Sequence, residues 1–291
     1  MADAASRAAM FDKWWSFGST IIAPATLLST LMFYFGYVSS RAEFRYFGLD
    51  VDTLGLSTQD FVSRSPQTLL VPLLAISLGG ASLLLLHLAV RRHPPPVPVI
   101  RGFLVASLLC VLLGVALVVG YGAVGSWAAY PLVTPLLLAA GSAGVLYGMR
   151  LPGAPTWVRP TDDEGVWLRR GVLAFALVAI VTCLFWATAT VAQWTALGNA
   201  MHTARNLDDL PPVILDTRER LFLKDGIVQE TQLPAGEADR FHYRYRGLRV
   251  LVQGGDNLFL VPERWSPSDS TLMVPLDGSV RVQFRFVDQA P

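Results

Sequence analysis

Charge is what this chain has least of. Only 15% of its 291 residues are Asp, Glu, Lys or Arg, against about a quarter in ordinary soluble domains, and 53% are apolar with a mean hydropathy of +0.45. Such a composition excludes an ordinary soluble enzyme and makes the lipid bilayer the expected solvent and first partner. The net charge of +1 offers nucleic acid no basic field. Cysteine is scarce too. Cys110 and Cys183 sit in the middle of apolar runs, without CxxC or Cys/His spacing, which excludes a disulfide framework and leaves them as small packing residues. Lysine occurs only at Lys13 and Lys224. Arginine carries the positive charge, alongside much alanine, glycine and proline, as in proteins of GC-rich bacteria.

Catalytic chemistry is missing as well. His87, His93, His202 and His242 fall in separate segments, so no metal-ligand spacing arises. Gly141-Ser142-Ala143-Gly144 lacks the GxSxG frame of a serine nucleophile and has no histidine near it in sequence. No glycine pattern fits a phosphate-binding loop. The sequence therefore predicts no catalytic residue, no metal and no cofactor; the chain reads as a non-enzyme.

What is there is long apolar segments. A helix needs about 20 apolar residues to cross a bilayer core about 30 Å thick, and five stretches qualify: Ser16 to Val38, Thr68 to Val90, Gly102 to Gly120, Ala128 to Gly148 and Gly171 to Trp194. None contains Asp, Glu, Lys or Arg. The stretches at the N-terminus and after the second and fourth segments hold nine Lys or Arg, whereas the other two connections hold three (Arg41, Arg45 and Arg64). Positive residues stay on the cytoplasmic side. The expected topology thus has a cytoplasmic N-terminus and an extracytoplasmic C-terminus, in a multi-pass protein of the cell membrane.

The expected fold class is an α-helical membrane bundle of about five spans followed by a small C-terminal all-β extracytoplasmic domain. Its divisions are 1–197 for the bundle, with an amphipathic external loop at 39–67, 198–212 for a polar linker, and 213–291 for the β domain. In the loop, Ser57 and Asp60 have capping-box spacing with Leu56 and Phe61 as a hydrophobic staple, predicting a short helix from Thr58. Ser65-Pro66 reads as a second helix start, where the second span begins. Phe44, Tyr46, Phe47, Leu49, Phe61 and Val62 would form an amphipathic collar, either a cap seated on the bundle or a lid or partner-binding surface.

Small residues four apart let helix backbones approach in lipid. Ala140, Gly144 and Gly148 form such a ladder, as do Ala106, Cys110 and Gly114, serving a compact bundle or a subunit interface with a homo-oligomer or another membrane protein. Span one is richer in hydroxyls. Ser19, Thr26, Ser29 and Thr30, with Thr20 and Pro24, either line a polar path or bond back to their own helix carbonyls.

The β domain is expected as a small sandwich or open barrel. Leu221–Lys224 and Ile227–Gln229 would flank an Asp225-Gly226 turn, Leu248–Val252 and Leu258–Val261 another hairpin, and Val280–Phe286 a last strand. Alternation leaves one face rich in arginine: Arg244, Arg246, Arg281 and Arg285 are candidates for an external binding surface.

The loop text YFGYVSSRAEFRYFGLDVDTLGLSTQDF, with RYRGLRVLV, NLFLVPERW and SVRVQF, resembles a group of actinobacterial multi-pass membrane proteins that carry an exported C-terminal β domain. That resemblance implies the layout and source and brings no activity with it. The functional expectation is an envelope protein that presents its external loop and β domain for partner binding or sensing. The alternative is a homo-oligomeric ion channel lined by span one.

Overall fold

The computed structural model describes residues 25–151, 163–223, 227–234, 240–266 and 269–284. Helix α1 covers 25–46 of these residues. It is followed by a 3-10 turn at Val51–Thr53, α2 (Thr58–Arg92), α3 (Val97–Val119), the single turn α4 (Tyr121–Val124), α5 (Tyr130–Gly148) and α6 (Asp163–Arg205). A second 3-10 turn, Leu207–Asp209, leads into β1 (Pro212–Thr217), β2 (Gln229–Gln232), β3 (Tyr243–Gly254), β4 (Asn257–Pro262), β5 (Leu272–Pro275) and β6 (Val280–Phe284).

Among the described residues four helices, α2, α3, α5 and the part of α6 from Arg170, are long and apolar enough to cross a membrane. Leu83, Leu84 and Leu85 of α2 are each 67% exposed in succession, an apolar surface suited to hydrocarbon surroundings. The first expected span lies partly outside the described residues; its part from 25 onward is helical and continues past Val38.

Compactness divides the chain into two units, 1–68 with 193–291, and 69–192. In the second, α3 and α5 pack through glycines. A Cβ on Gly141 would come 2.8 Å from the Ser107 carbonyl oxygen, and one on Gly144 or Gly148 would run into Ser107 or Leu104. Pro135 lies inside α5 and cannot donate to the Pro131 carbonyl one turn earlier. The Thr190 hydroxyl of α6 lies 3.1 Å from that carbonyl oxygen and at the same distance from the Trp186 carbonyl of its own helix, so its one proton is shared between them. The Tyr130 hydroxyl likewise donates to the Leu117 carbonyl in the last turn of α3.

In the first unit, the capping box forms as its spacing requires: the Ser57 N–H donates to the Asp60 carboxylate (2.8 Å) and the Asp60 N–H to the Ser57 hydroxyl (3.2 Å). Ser65-Pro66, expected to start a new helix, is instead interior to α2, which runs unbroken from Thr58. Pro66 orphans the Val62 carbonyl, and the Ser65 hydroxyl donates to that oxygen at 2.9 Å. This local replacement removes the reason to break the helix. The expected 198–212 linker is also largely helical, because α6 continues to Arg205 with Ala196 and Ala200 buried along one face.

The strands form one antiparallel sheet in the order β5-β4-β3-β1-β6, with β2 paired to β3. Only four residues, 276–279, join β5 to β6 at the two ends of this path. They reach at most about 18 Å, while a flat sheet would set its outer strands about 19 Å apart. The sheet therefore curls. One core, built on Leu215, Tyr245, Leu248, Leu258 and Leu260, collects Val274 of β5 and, less deeply, Val280 and Val282 of β6. All six strands belong to this one curled sheet, nearer to the expected open barrel than to two stacked sheets.

Leu221–Leu223, expected as strand, is irregular, with Phe222 at φ 48°, and β2 pairs with β3 from Gln229 to Gln232 instead. The Asp225-Gly226 turn lies outside the described residues. The β3–β4 hairpin forms as expected, closing between Gly254 and Asn257 with Gly255 at φ 54°, a sign that glycine alone takes freely and that type II′ turns need at their first central position.

Candidate functional site

Strand β4 is buried on both faces, and this builds the first unit. Leu258 and Leu260 enter the barrel core, while Phe259 and Val261 point the other way. Phe259 and Val252 meet Phe44, Val51, Leu54 and Phe61 of the expected collar. Val261 meets Phe47, Ala200 and Leu207. The Thr271 hydroxyl donates to the Phe47 carbonyl at 2.7 Å, and Arg249 of β3 donates to the Asp208 and Leu210 carbonyls at 2.9 and 2.8 Å. The collar is thus a second core layer of the β domain, tied also to the end of α6.

Behind this layer three helices turn polar at one level. On α1, Ser39 and Glu43 are one turn apart; on α2, Arg64 is followed by Gln67 and Thr68; on α6, Asn199 is followed by His202 and Thr203. These side chains line one cavity of about 320 Å³. Within it the Thr68 hydroxyl donates to the Ser39 hydroxyl at 3.1 Å, buried from solvent. Asn206 steadies His202 by donating to its carbonyl at 3.2 Å. Arg64 stands 3.9 Å from Glu43, an ion pair too long for a hydrogen bond, with its guanidinium over the Phe44 ring. Burial pushes the Glu43 carboxyl above the usual carboxylate range, and Arg64 offsets only part of that. One acid, one guanidinium, one imidazole and a set of neutral amides and hydroxyls suit a small polar solute carrying both charges. Among the described residues no group of three His, Cys, Asp or Glu could hold a metal ion.

Sequence reasoning missed this cavity, although each helix carries its signal as a polar pair three or four residues apart on an otherwise apolar face.

The candidate binding arginines separate. Arg244 and Arg281 converge on Asp216 of β1, which is fully buried. The register sets Asp216 opposite both residues on the neighbouring strands. Arg244 Nε lies 2.7 Å from one carboxylate oxygen and Nη2 3.0 Å from the other. Burial raises the Asp216 carboxyl, but the hydrogen bonds and charges of the two arginines outweigh it and hold the group below the usual range. Arg246 is exposed, and Arg285 lies outside the described residues.

Of the candidate pore residues, Thr26, Ser29 and Thr30 are exposed on α1, and the Thr30 hydroxyl donates to the Thr26 carbonyl at 2.8 Å; Ser19, Thr20 and Pro24 lie outside the described residues. In the packing ladder, Gly144 and Gly148 touch α3, whereas Ala140 is exposed and Gly141 stands in the contact. No protein-family model, curated protein or solved structure matches this chain, so its function is argued from its own residues.

Proposed function

We propose that this chain is a non-enzymatic integral membrane protein of the bacterial envelope that holds its open barrel and first loop together on the extracytoplasmic side and uses them to bind or sense a small polar ligand. The observation that carries this reading is the burial of β4 on both faces: Phe259 and Val261 anchor the collar and the end of α6 to the barrel. Anything that displaces the barrel acts directly on the helix ends that line the polar cavity. The arginine asymmetry between connections supports the outward orientation.

The ligand class follows from the lining. Glu43 and Arg64 leave their mutual hydrogen bond unmade at 3.9 Å, which leaves both able to take groups of opposite charge. Asn199 and Gln67 add neutral donors and acceptors. The channel reading rests on the hydroxyls of the first span, and the Thr30 hydroxyl is committed to its own helix.

The test is a melting-temperature screen of the full chain in nanodiscs against small zwitterions, anions and polyols. A zwitterion should raise the melting temperature of the wild type and leave Asn199→Leu, which fills the cavity, unmoved. Equal shifts in both proteins would remove the cavity from the account. A closed symmetric ring by native mass spectrometry would favour the channel instead.

A further inference from the structure

On the other side of α1 the charged groups are basic alone. Arg41 and Arg45 are one turn apart and both exposed, and they line a groove of about 470 Å³ that Tyr46, Trp194 and Leu197 complete. Among the described residues neither guanidinium forms an ion pair or a side-chain hydrogen bond. Arg64, Arg244, Arg249 and Arg281 differ in this, each having a carboxylate. The groove is amphipathic along its length. Val38 and Leu197 give it an apolar end and the two guanidiniums a basic end, at the level where the apolar run of α1 stops. Trp194, 44% exposed, and Tyr46, braced on Phe47 and Trp265 with ring centroids 5.5 Å away, are the residue types that settle at a membrane–water boundary.

We infer that this groove is a binding site for an anionic phospholipid of the outer leaflet, with Arg41 and Arg45 on the head-group phosphate and an acyl chain along Val38 and Leu197. Guanidinium binds phosphate through paired N–H donors in a planar fork. Two cations against one phosphate leave a positive excess that selects a lipid with net negative charge over a zwitterionic one. The site rests on the membrane reading of the helices but is independent of the Glu43 cavity. It would orient α1 on the lipid surface and so fix the height of the collar.

The full chain in detergent, titrated with phosphatidylglycerol and followed by native mass spectrometry, tests this. The expected result is a retained lipid adduct whose apparent affinity falls about tenfold or more in Arg41→Gln/Arg45→Gln, as the loss of charge-assisted hydrogen bonds implies. It should be unchanged in Arg246→Gln, an exposed arginine on the barrel. Arg41→Lys/Arg45→Lys, which keeps the charge and loses the fork, should fall in between, and covers the case in which the glutamine variant misfolds. Wild-type affinity in both double variants, equal binding of phosphatidylcholine, or displacement of the lipid by millimolar inorganic phosphate would overturn the site. Recovery of the wild type in the soluble fraction of lysed cells would overturn the membrane reading itself, a separate outcome.

Discussion

Gly254 at the tip of the β3–β4 hairpin lies directly beneath the Leu54 carbonyl of the first loop, so close that no side chain fits between them. Its φ is not in the left-handed region, so the glycine is needed for space alone. Gly254→Ala should therefore destabilise the loop–barrel contact by about 1–3 kcal/mol, the usual cost of overpacking, and expose the 39–67 loop to limited proteolysis. Gly255→Ala, whose penalty is conformational, should lower stability without selectively freeing the loop.

The α3–α5 contact makes a second comparison. Gly144→Leu drives a side chain into Ser107 and should cost about 3 kcal/mol or abolish assembly. Ala140→Leu, four residues earlier and exposed, should be tolerated. Resistance to unfolding by SDS in mixed micelles measures both.

Thr190 and Pro135 are coupled through one carbonyl. Thr190→Val removes the donor to Pro131 and should cost about 1 kcal/mol, within the range for hydrogen bonds between membrane helices. Pro135→Ala restores a backbone N–H for that carbonyl, so Thr190→Val should cost less in its presence. A double-mutant cycle with no coupling would contradict the assignment.

Two carboxylates should respond to pH in opposite senses. Asp216 is held low by Arg244 and Arg281, so its contribution is complete above its unfolded value of about 4 and is lost as pH falls through the lower folded value. Glu43 is raised by burial, so its protonated form favours the fold; that contribution is complete below about 4 and is lost as pH rises through the higher folded value. Glu43→Gln should thus stabilise the protein at neutral pH. Asp216→Asn should destabilise it by about 1–3 kcal/mol through the loss of its charge-assisted hydrogen bonds to the two partly exposed arginines, and should flatten the acid limb of a stability–pH curve.

Local signals were legible in the sequence and long-range compensations were not. The Ser57–Asp60 cap and the β3–β4 hairpin depend on residues within four positions of each other, and both form as read. Strand β1 was missed because Asp216 interrupts its apolar pattern, and the charges that make this tolerable come from Arg244 and Arg281 on other strands. Ser65-Pro66 misled because the pair that starts a helix also lets one continue when the serine hydroxyl covers the orphaned carbonyl. The polar cavity draws on three helices spread from Ser39 to Thr203, and no single segment announces it. Phe44 and Phe61 are amphipathic by sequence, but that their apolar faces meet Phe259 depends on β4 being buried on both sides.

The outward placement of the barrel is the central claim, and thiol labelling on intact cells tests it most directly. In a Cys110→Ala/Cys183→Ala background, single cysteines at Arg246, exposed on the barrel, and at His93, after the last turn of α2, would be offered a membrane-impermeant maleimide. Labelling is expected at position 246 without permeabilisation and at position 93 only after it. The reverse pattern would contradict the topology and, with it, the reading of the barrel as an external binding unit.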